Sequence, residues 1–325
     1  MKTKVCLVAP VLALLMAASA EASVVITPAS GGGAISANTA ANGSSPAWTT
    51  LGPITIAEGK KQDFGNKVDN GTLVLKAPDG FEFNTALTPS ISFASGADVT
   101  DASVAVTDSS TLTITYSTAR QKSLDTLIIG ATGLQVRPTQ AGFVVTGRHI
   151  YCPTDGKLPI DGIETSTNGA SGSDFGALTE IAADFARLQV LLPGETNAPG
   201  TVTGKTGTPS AQLAGAAFNV IVNAVDVYWN VATPVTDTVA LTTTDINGTV
   251  PPQTALVGGT VTLPVTLRTV GSWTVTATDL SDGTKSPVTS SPVTVNAGPA
   301  SQLVLAVQPS PTAVAGNVLD RKSVV

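Results

Sequence analysis

Three observations predict an all-β chain of tandem antiparallel β-sandwiches. Val and Thr, which favour pleated strands, alternate with other residue types in many short runs. Gly (31 residues) and Pro (21 residues) supply many turns, whereas only 12% of residues are charged and 4% are aromatic. Two stretches about 115 residues apart begin alike, at Ala186 and at Ser301. A repeat of that length, filled with short alternating segments, is typical of stacked sandwich modules.

Residues 1–22 have the pattern of a secretory signal peptide. Two lysines precede an apolar run, residues 5–18, that is shorter than the roughly 20 residues that a membrane-spanning helix needs. Ala-x-Ala exits follow at Ala20 and Ala22. We therefore expect a protein that is secreted or held at the cell surface, with no membrane span in the mature chain. A retained N-terminal anchor is the alternative.

Residues 23–182 are predicted to form the first β-sandwich domain. Its strands are indicated by apolar residues at every second position, with Asn-Gly and Asp-Gly turns between them. A joint at 179–185, with a short helical turn as an alternative, ends the domain. The alternating sets are, in order, Val24/Ile26, Leu73/Leu75, Ile91/Phe93, Val104/Val106, Leu112/Ile114/Tyr116, Leu127/Ile129, Leu134/Val136 and Phe143/Val145.

Residues 186–297 are predicted to form a second sandwich. Pro264 interrupts one of its strands and cannot donate to a ladder, so that strand should lie at an edge or a bulge. The rows expected to face the core are Phe218/Val220/Val222/Ala224, Val239/Leu241, Val261/Leu263/Val265/Leu267, Trp273/Val275/Ala277 and Val293/Val295.

Residues 298–325 resemble the start of a further repeat. Twenty-five residues from Ser301 cannot complete a unit of about 115, and the last six residues depart from the composition of the rest. We expect this segment to be a truncated repeat and to be disordered, with the native protein longer than this chain.

Several kinds of chemistry are not expected. His149 is the only histidine and no nucleophile elbow accompanies it, so no catalytic triad is predicted. His149 and Cys152 lack further zinc ligands, and Gly200–Thr206 lacks the glycine spacing of a phosphate loop. The net charge of −6, without a Lys/Arg cluster, argues against nucleic-acid binding. The sequence thus predicts no catalytic, cofactor-binding or metal residues, and no enzyme. Cys152, the one cysteine after residue 22, excludes an internal disulfide in the mature chain.

Calcium is the one ion left open. Carboxylates from adjoining loops can bind it and stiffen a modular stalk. Solvated loop acids, without any ion, are the alternative interpretation. The two candidate sets are Asp98/Asp101/Asp108 and Glu180/Asp184/Glu195.

Three aromatic residues in loop-like sequence are candidate ligand contacts. Trp48, Tyr228 and Trp229 could stack on sugar rings, and the last two lie between Asp226 and Asn230. The alternative for the adjacent pair is a strand end that closes the sandwich.

The second domain carries a series of family-like motifs: Leu188-x-Val190 with Pro193-Gly194, Val222-x-x-x-Asp226-x-x-x-Asn230, Gly271-Ser-Trp273-Thr-Val275-Thr-Ala277-Thr278 and Val293-Thr-Val295. In these motifs residues 186–297 resemble the bacterial immunoglobulin-like repeats of secreted and surface proteins, including invasin-type adhesins. At 229 the chain departs from the family pattern, with Trp where Gly is usual. The resemblance implies an Ig-like sandwich with a spacer or adhesive role and no enzymatic activity.

The predicted function is therefore a non-catalytic stalk or adhesive scaffold outside the cell. An extracellular protein or polysaccharide surface is its expected partner. The alternative is a carbohydrate-binding or accessory segment of a larger extracellular enzyme.

Overall fold

The computed structural model describes residues 23–94, 98–119, 122–155 and 160–299. Regular structure in these residues is almost entirely β, which confirms the predicted fold class. Their one helical element is the 3-10 helix Ala37–Thr39. The chain divides into two compact units, Met1–Ile181 and Ala182–Val325. The predicted signal peptide and nearly all of the predicted third repeat lie outside the described residues, and the predicted domain limits remain predictions.

Within the described residues, the first unit contains sixteen strands. They are β1 Val25–Thr27, β2 Ile35–Ser36, β3 Thr49–Thr50, β4 Ile54–Ala57, β5 Gly71–Lys76, β6 Phe81–Phe83, β7 Ile91–Phe93, β8 Val99–Asp108, β9 Thr111–Thr118, β10 Thr126–Ile129, β11 Gln135–Pro138, β12 Arg148–His149, β13 Cys152–Pro153, β14 Thr165–Ser166, β15 Ala177–Leu178 and β16 Glu180–Ile181.

Three antiparallel sheets build the core of the first unit. Their strand orders are β1-β4-β10-β7, β3-β11-β6 and β5-β9-β8. In strand β9 every second residue, including Leu112, Ile114 and Tyr116, is buried while its neighbours are partly exposed. This alternation arises because successive side chains of a strand point to opposite faces of the sheet. Buried residues from all three sheets join one apolar cluster. The alternation in the sequence therefore predicts this core correctly.

The predicted strand at Phe143/Val145 is wrong. Residues 143–145 form no strand, and Phe143 is 66% exposed whereas Val145 is buried. The chain turns after Thr139, whose N–H bonds to the carbonyl of Gly80, and the carbonyl of Val145 accepts the N–H of Glu180. These backbone groups are hydrogen-bonded in an irregular segment and not in a strand ladder. The side chains of Phe143 and Val145 therefore do not lie on one face.

The joint at 179–185 begins as a strand. Glu180 and Ile181 form β16, which pairs in parallel with Ile35 and Ser36 of β2. The short helical turn considered for this segment is not present, since the described residues 179–185 contain no helix.

The part of the second unit that the structure describes contains twelve strands in four sheets. The strand orders are β17-β21-β24, β20-β28-β25, β23-β22-β26-β27 and β18-β19. The strands are β17 Arg187–Leu191, β18 Glu195–Asn197, β19 Lys205–Gly207, β20 Gln212–Leu213, β21 Ala217–Val225, β22 Thr238–Thr243, β23 Thr254–Ala255, β24 Thr260–Thr266, β25 Gly271–Trp273, β26 Val275–Asp279, β27 Val288–Thr289 and β28 Val293–Asn296.

Strand β21 is the centre of the second core. It pairs with β17 on one side and β24 on the other, and its buried row of Phe218, Val220, Val222 and Ala224 faces the apolar cluster as predicted. Strand β24 is the edge of this sheet, which agrees with the position expected for Pro264.

The row Trp273/Val275/Ala277 is not one strand. Trp273 ends β25, which pairs with β28, whereas Val275 begins β26 in another sheet. Trp273 is half-buried against the core, and its indole N–H donates to the carbonyl of Thr269 at 2.6 Å.

Candidate functional site

The carboxylate of Asp226 organises the end of the second unit where the chain enters. Asp226 is fully buried. Its Oδ1 accepts the N–H groups of Tyr228 (2.8 Å) and Asn230 (2.9 Å). Its Oδ2 accepts the N–H of Ala183 (2.8 Å) and the side-chain amide of Asn230 (2.9 Å). One aspartate thus shapes the 226–230 turn and fixes the segment that leads into β17.

Trp229 has a backbone conformation that usually requires glycine. Its φ is 72°, in the left-handed region that costs a residue with a Cβ atom roughly 1–2 kcal/mol. This is the position at which the immunoglobulin-like pattern usually has Gly. The turn therefore keeps the left-handed conformation although the residue is Trp, and the hydrogen bonds to Asp226 hold it there.

The indole ring of Trp229 is covered by two neighbours. It lies against Gly204, where a Cβ atom would come within 2.0 Å of the ring, so no other residue fits there without displacing the ring. The guanidinium carbon of Arg187 lies 4.7 Å from the ring centroid. Tyr228 is half-buried, and its carbonyl accepts the N–H of Gly200. A sugar would compete with Arg187 and Gly204 for the ring, which favours the interpretation that Trp229 closes the sandwich.

Trp48, the third aromatic candidate, belongs to the first unit. It is half-buried, and the guanidinium carbon of Arg137 lies 4.1 Å from its ring centroid. Arg137 is in turn held by Glu82, with 2.6 Å between Nε and Oε1. The ring is therefore part of a structural stack, and only the area that Arg137 leaves uncovered is accessible to a ligand.

The chain enters and leaves the second unit at opposite ends of its strands. At the start, Arg187 pairs with Val225, the last residue of β21. At the end, the carbonyl of Asn296 accepts the N–H of Ala214, three residues before β21 begins. The nine residues of β21 separate these two points by about 25 Å at the usual rise per residue. The entry and the exit of the second unit therefore lie near opposite ends of β21.

Local contacts surround His149, Cys152 and the glycine-rich segment 200–206, none of which was predicted to be a site. His149 Nε2 is hydrogen-bonded to the carbonyl of Ser171 at 3.1 Å. Cys152 is buried, and burial, together with the negative charge of Asp155, raises the pKa of its thiol to about 11. In the glycine-rich segment, Thr201 Oγ1 accepts the N–H of Gly204, and strand β19 follows instead of a helix.

Asp98, Asp101 and Asp108 of the first unit are not gathered into a metal site in the described residues. Asp98 Oδ2 accepts the N–H and the hydroxyl of Ser123, and Asp108 caps the turn at Ser110. Glu195 pairs with Lys205 at 2.7 Å. Across the described part of the chain, no group of three or more His, Cys, Asp or Glu side chains is arranged to hold a metal ion. In the same residues, no helix is long and apolar enough to cross a membrane.

Comparisons with known proteins identify no family. No family model matches the chain, and no curated protein matches it. Among solved structures, the chain is similar to FdeC, described as a broadly conserved Escherichia coli adhesin, with 12% identity and a TM-score of 0.24. The match covers 84% of this chain and 64% of the FdeC chain. Likeness at this level supports no statement about family or function.

Proposed function

We propose that this chain is a non-catalytic modular protein, secreted or held at the bacterial cell surface, that acts as an adhesive or structural stalk. The observation that carries the proposal is the opposite placement of the points where the chain enters and leaves the second unit. Units with this connectivity can be joined in series, so that each repeat adds its own length. The export pattern of residues 1–22 supports the location.

The pairing of β17 supports a mechanical role. If the two ends of the second unit are pulled apart, β17 is drawn along β21, to which it is joined by five residue pairs from Arg187↔Val225 to Leu191↔Ile221. The hydrogen bonds of this ladder run across the direction of pull. They are therefore loaded together, which resists force better than opening them one at a time.

Single-molecule force spectroscopy on the full chain tests the stalk role. We expect a discrete unfolding event for the second unit. Leu188→Ala, which removes a fully buried side chain from β17, should lower the unfolding force. Thr196→Ala, at an exposed position of β18 outside the loaded ladder, is the matched control and should leave the force unchanged. Gradual extension without a discrete event would contradict the proposal.

The alternative, a carbohydrate-binding segment, is favoured by the partial exposure of Trp48 and Trp229. A polysaccharide pull-down with the full chain separates the two functions. The stalk proposal expects no retention that depends on these rings. Retention that is lost in Trp48→Ala or Trp229→Ala would support the alternative.

A further inference from the structure

Two aspartates in the second unit lie on the same side of one sheet. Strand β22 pairs with β26 so that Val239 is opposite Asp279. Asp237 precedes Val239 by two residues, and the ladder continues past the strand end, where Leu280 N–H donates to the carbonyl of Thr238. Since side chains two residues apart share a face, Asp237 and Asp279 are diagonal neighbours across the two strands.

One carboxylate oxygen of this pair lacks a donor. Asp279 is only 4% exposed. Its Oδ1 accepts the N–H groups of Ser281 (2.9 Å) and Asp282 (3.0 Å). Its Oδ2 is buried, and while both carboxyls are ionised none of the described N–H or O–H groups donates to it; only a protonated Asp237 would do so. An unsatisfied buried carboxylate oxygen is costly, so it indicates a missing positive or hydrogen-bonding partner.

The charges around the pair are unbalanced. Asp282 is a third carboxylate near Asp237, and the positive group beside them is the ammonium of Lys285. The Nζ of Lys285 lies 3.5 Å from Asp282 Oδ2 and 4.9 Å from the ring centroid of Phe185. Burial raises the pKa of Asp237, and so do the charge of Asp279 and a hydrogen bond to it, then Asp282, while Lys285 lowers it. Three ionised carboxylates and one ammonium have a net charge of −2, which two further positive charges would neutralise.

We propose that Asp237 and Asp279 bind a calcium ion, with Asp279 Oδ2 as a direct ligand and water completing the coordination. Calcium accepts mono- and bidentate carboxylates in flexible geometry and takes six to eight oxygen ligands. Two protein carboxylates make a weak site, in the range of about 10⁻⁴–10⁻³ M that is found in extracellular modules. The ion would satisfy the buried oxygen and join β22 to β26.

This site differs from both sets expected from the sequence. Its two ligands come from segments 42 residues apart, and neither segment has a dense acidic motif. The inference does not depend on the stalk role, because it rests on the register of β22 with β26 and on the burial of Asp279.

Calorimetric titration of the full chain with CaCl₂ tests the proposal directly. We expect saturable binding with a Kd of about 10⁻⁴–10⁻³ M. Thermal unfolding should then show a Tm about 3 °C higher at tenfold excess over Kd than in chelator. Asp237→Asn/Asp279→Asn should remove both responses. The matched pair Asp101→Asn/Asp108→Asn, at exposed positions of the first unit, should keep them.

Three results would overturn the proposal. The first is a wild-type chain that shows no heat of binding and no shift of Tm with calcium, which requires no variant to fold. The second is a calcium response that survives in Asp237→Asn/Asp279→Asn or disappears in the control pair. The third is a calcium-insensitive chain that Asp237→Asn stabilises at neutral pH, because that result would assign a shared proton to the pair.

Discussion

The carboxylate of Asp226 accepts the backbone N–H of Ala183 at 2.8 Å, across 43 residues of sequence. The same side chain holds two N–H groups of its own turn and the amide of Asn230. This one buried residue therefore couples the conformation of a loop to the position of the segment that precedes β17.

Replacing Asp226 with Ala should strongly destabilise the second unit. Four hydrogen bonds would be lost, and buried N–H donors would remain without acceptors. We expect a decrease of about 3–4 kcal/mol in the free energy of unfolding, measured by urea denaturation. Asp184→Ala, at an exposed position of the same segment, is the control and should change it by less than about 0.5 kcal/mol. Equal effects of the two changes would refute the role of Asp226.

The left-handed conformation at 229 predicts an unusual order of stabilities. Gly adopts this φ without steric cost, whereas Ala retains the clash of its Cβ atom. Both changes remove the same ring contacts with Gly204 and Arg187. We therefore expect Trp229→Gly to be more stable than Trp229→Ala by about 1 kcal/mol in chemical denaturation. The reverse order would show that the turn relaxes out of the left-handed region.

Asp245 should make the second unit sensitive to strong acid. Burial would raise the pKa of its carboxyl, but hydrogen bonds from Thr269, Arg268 and Asn247 outweigh burial and lower the pKa to about 2. Because the unfolded chain then binds the proton more tightly, the stabilisation is present above about pH 4 and is lost as the pH falls towards 2.

Unfolding free energies at several pH values check this expectation. The difference between wild type and Asp245→Asn should be largest above about pH 4 and should shrink at lower pH, since the Asn variant has no proton to gain. A difference that does not change with pH would contradict the assignment.

Cys152 should be chemically inert in the folded chain. Its thiol is buried and has a pKa of about 11, so little reactive thiolate is present at neutral pH. In a Cys6→Ala background, where Cys152 is the one cysteine, we expect slow labelling by iodoacetamide in buffer and rapid labelling in denaturant. Rapid labelling of the native chain would show that strand β13 opens readily.

The sequence predicts the cores better than the sites. Alternation at Leu112, Ile114 and Tyr116, or along β21, reports directly which side chains face inwards, because strands have a fixed period of two. The same rule fails at Phe143, where a turn breaks the period, and at Trp273, where the chain passes from one sheet to another. The periodicity of the sequence alone does not predict where such breaks occur.

The features on which the proposals rest depend on pairings between residues distant in the sequence. The departure from Gly at 229 indicates an unusual turn. The hydrogen bond between Asp226 and Ala183, in contrast, is not indicated by any local sequence pattern. The neighbourhood of Asp237 and Asp279 likewise follows only from the register of β22 with β26. A shift of one residue would place the two carboxylates on opposite faces of the sheet.

The opposed ends of the second unit have an evolutionary consequence. If the chain acts as the proposed stalk, duplicating such a unit within the gene would insert a whole core and open none, so recombination between copies would change the length of the stalk. Each duplication or loss would change the length of the stalk by one unit, and the fold of the other units would stay the same.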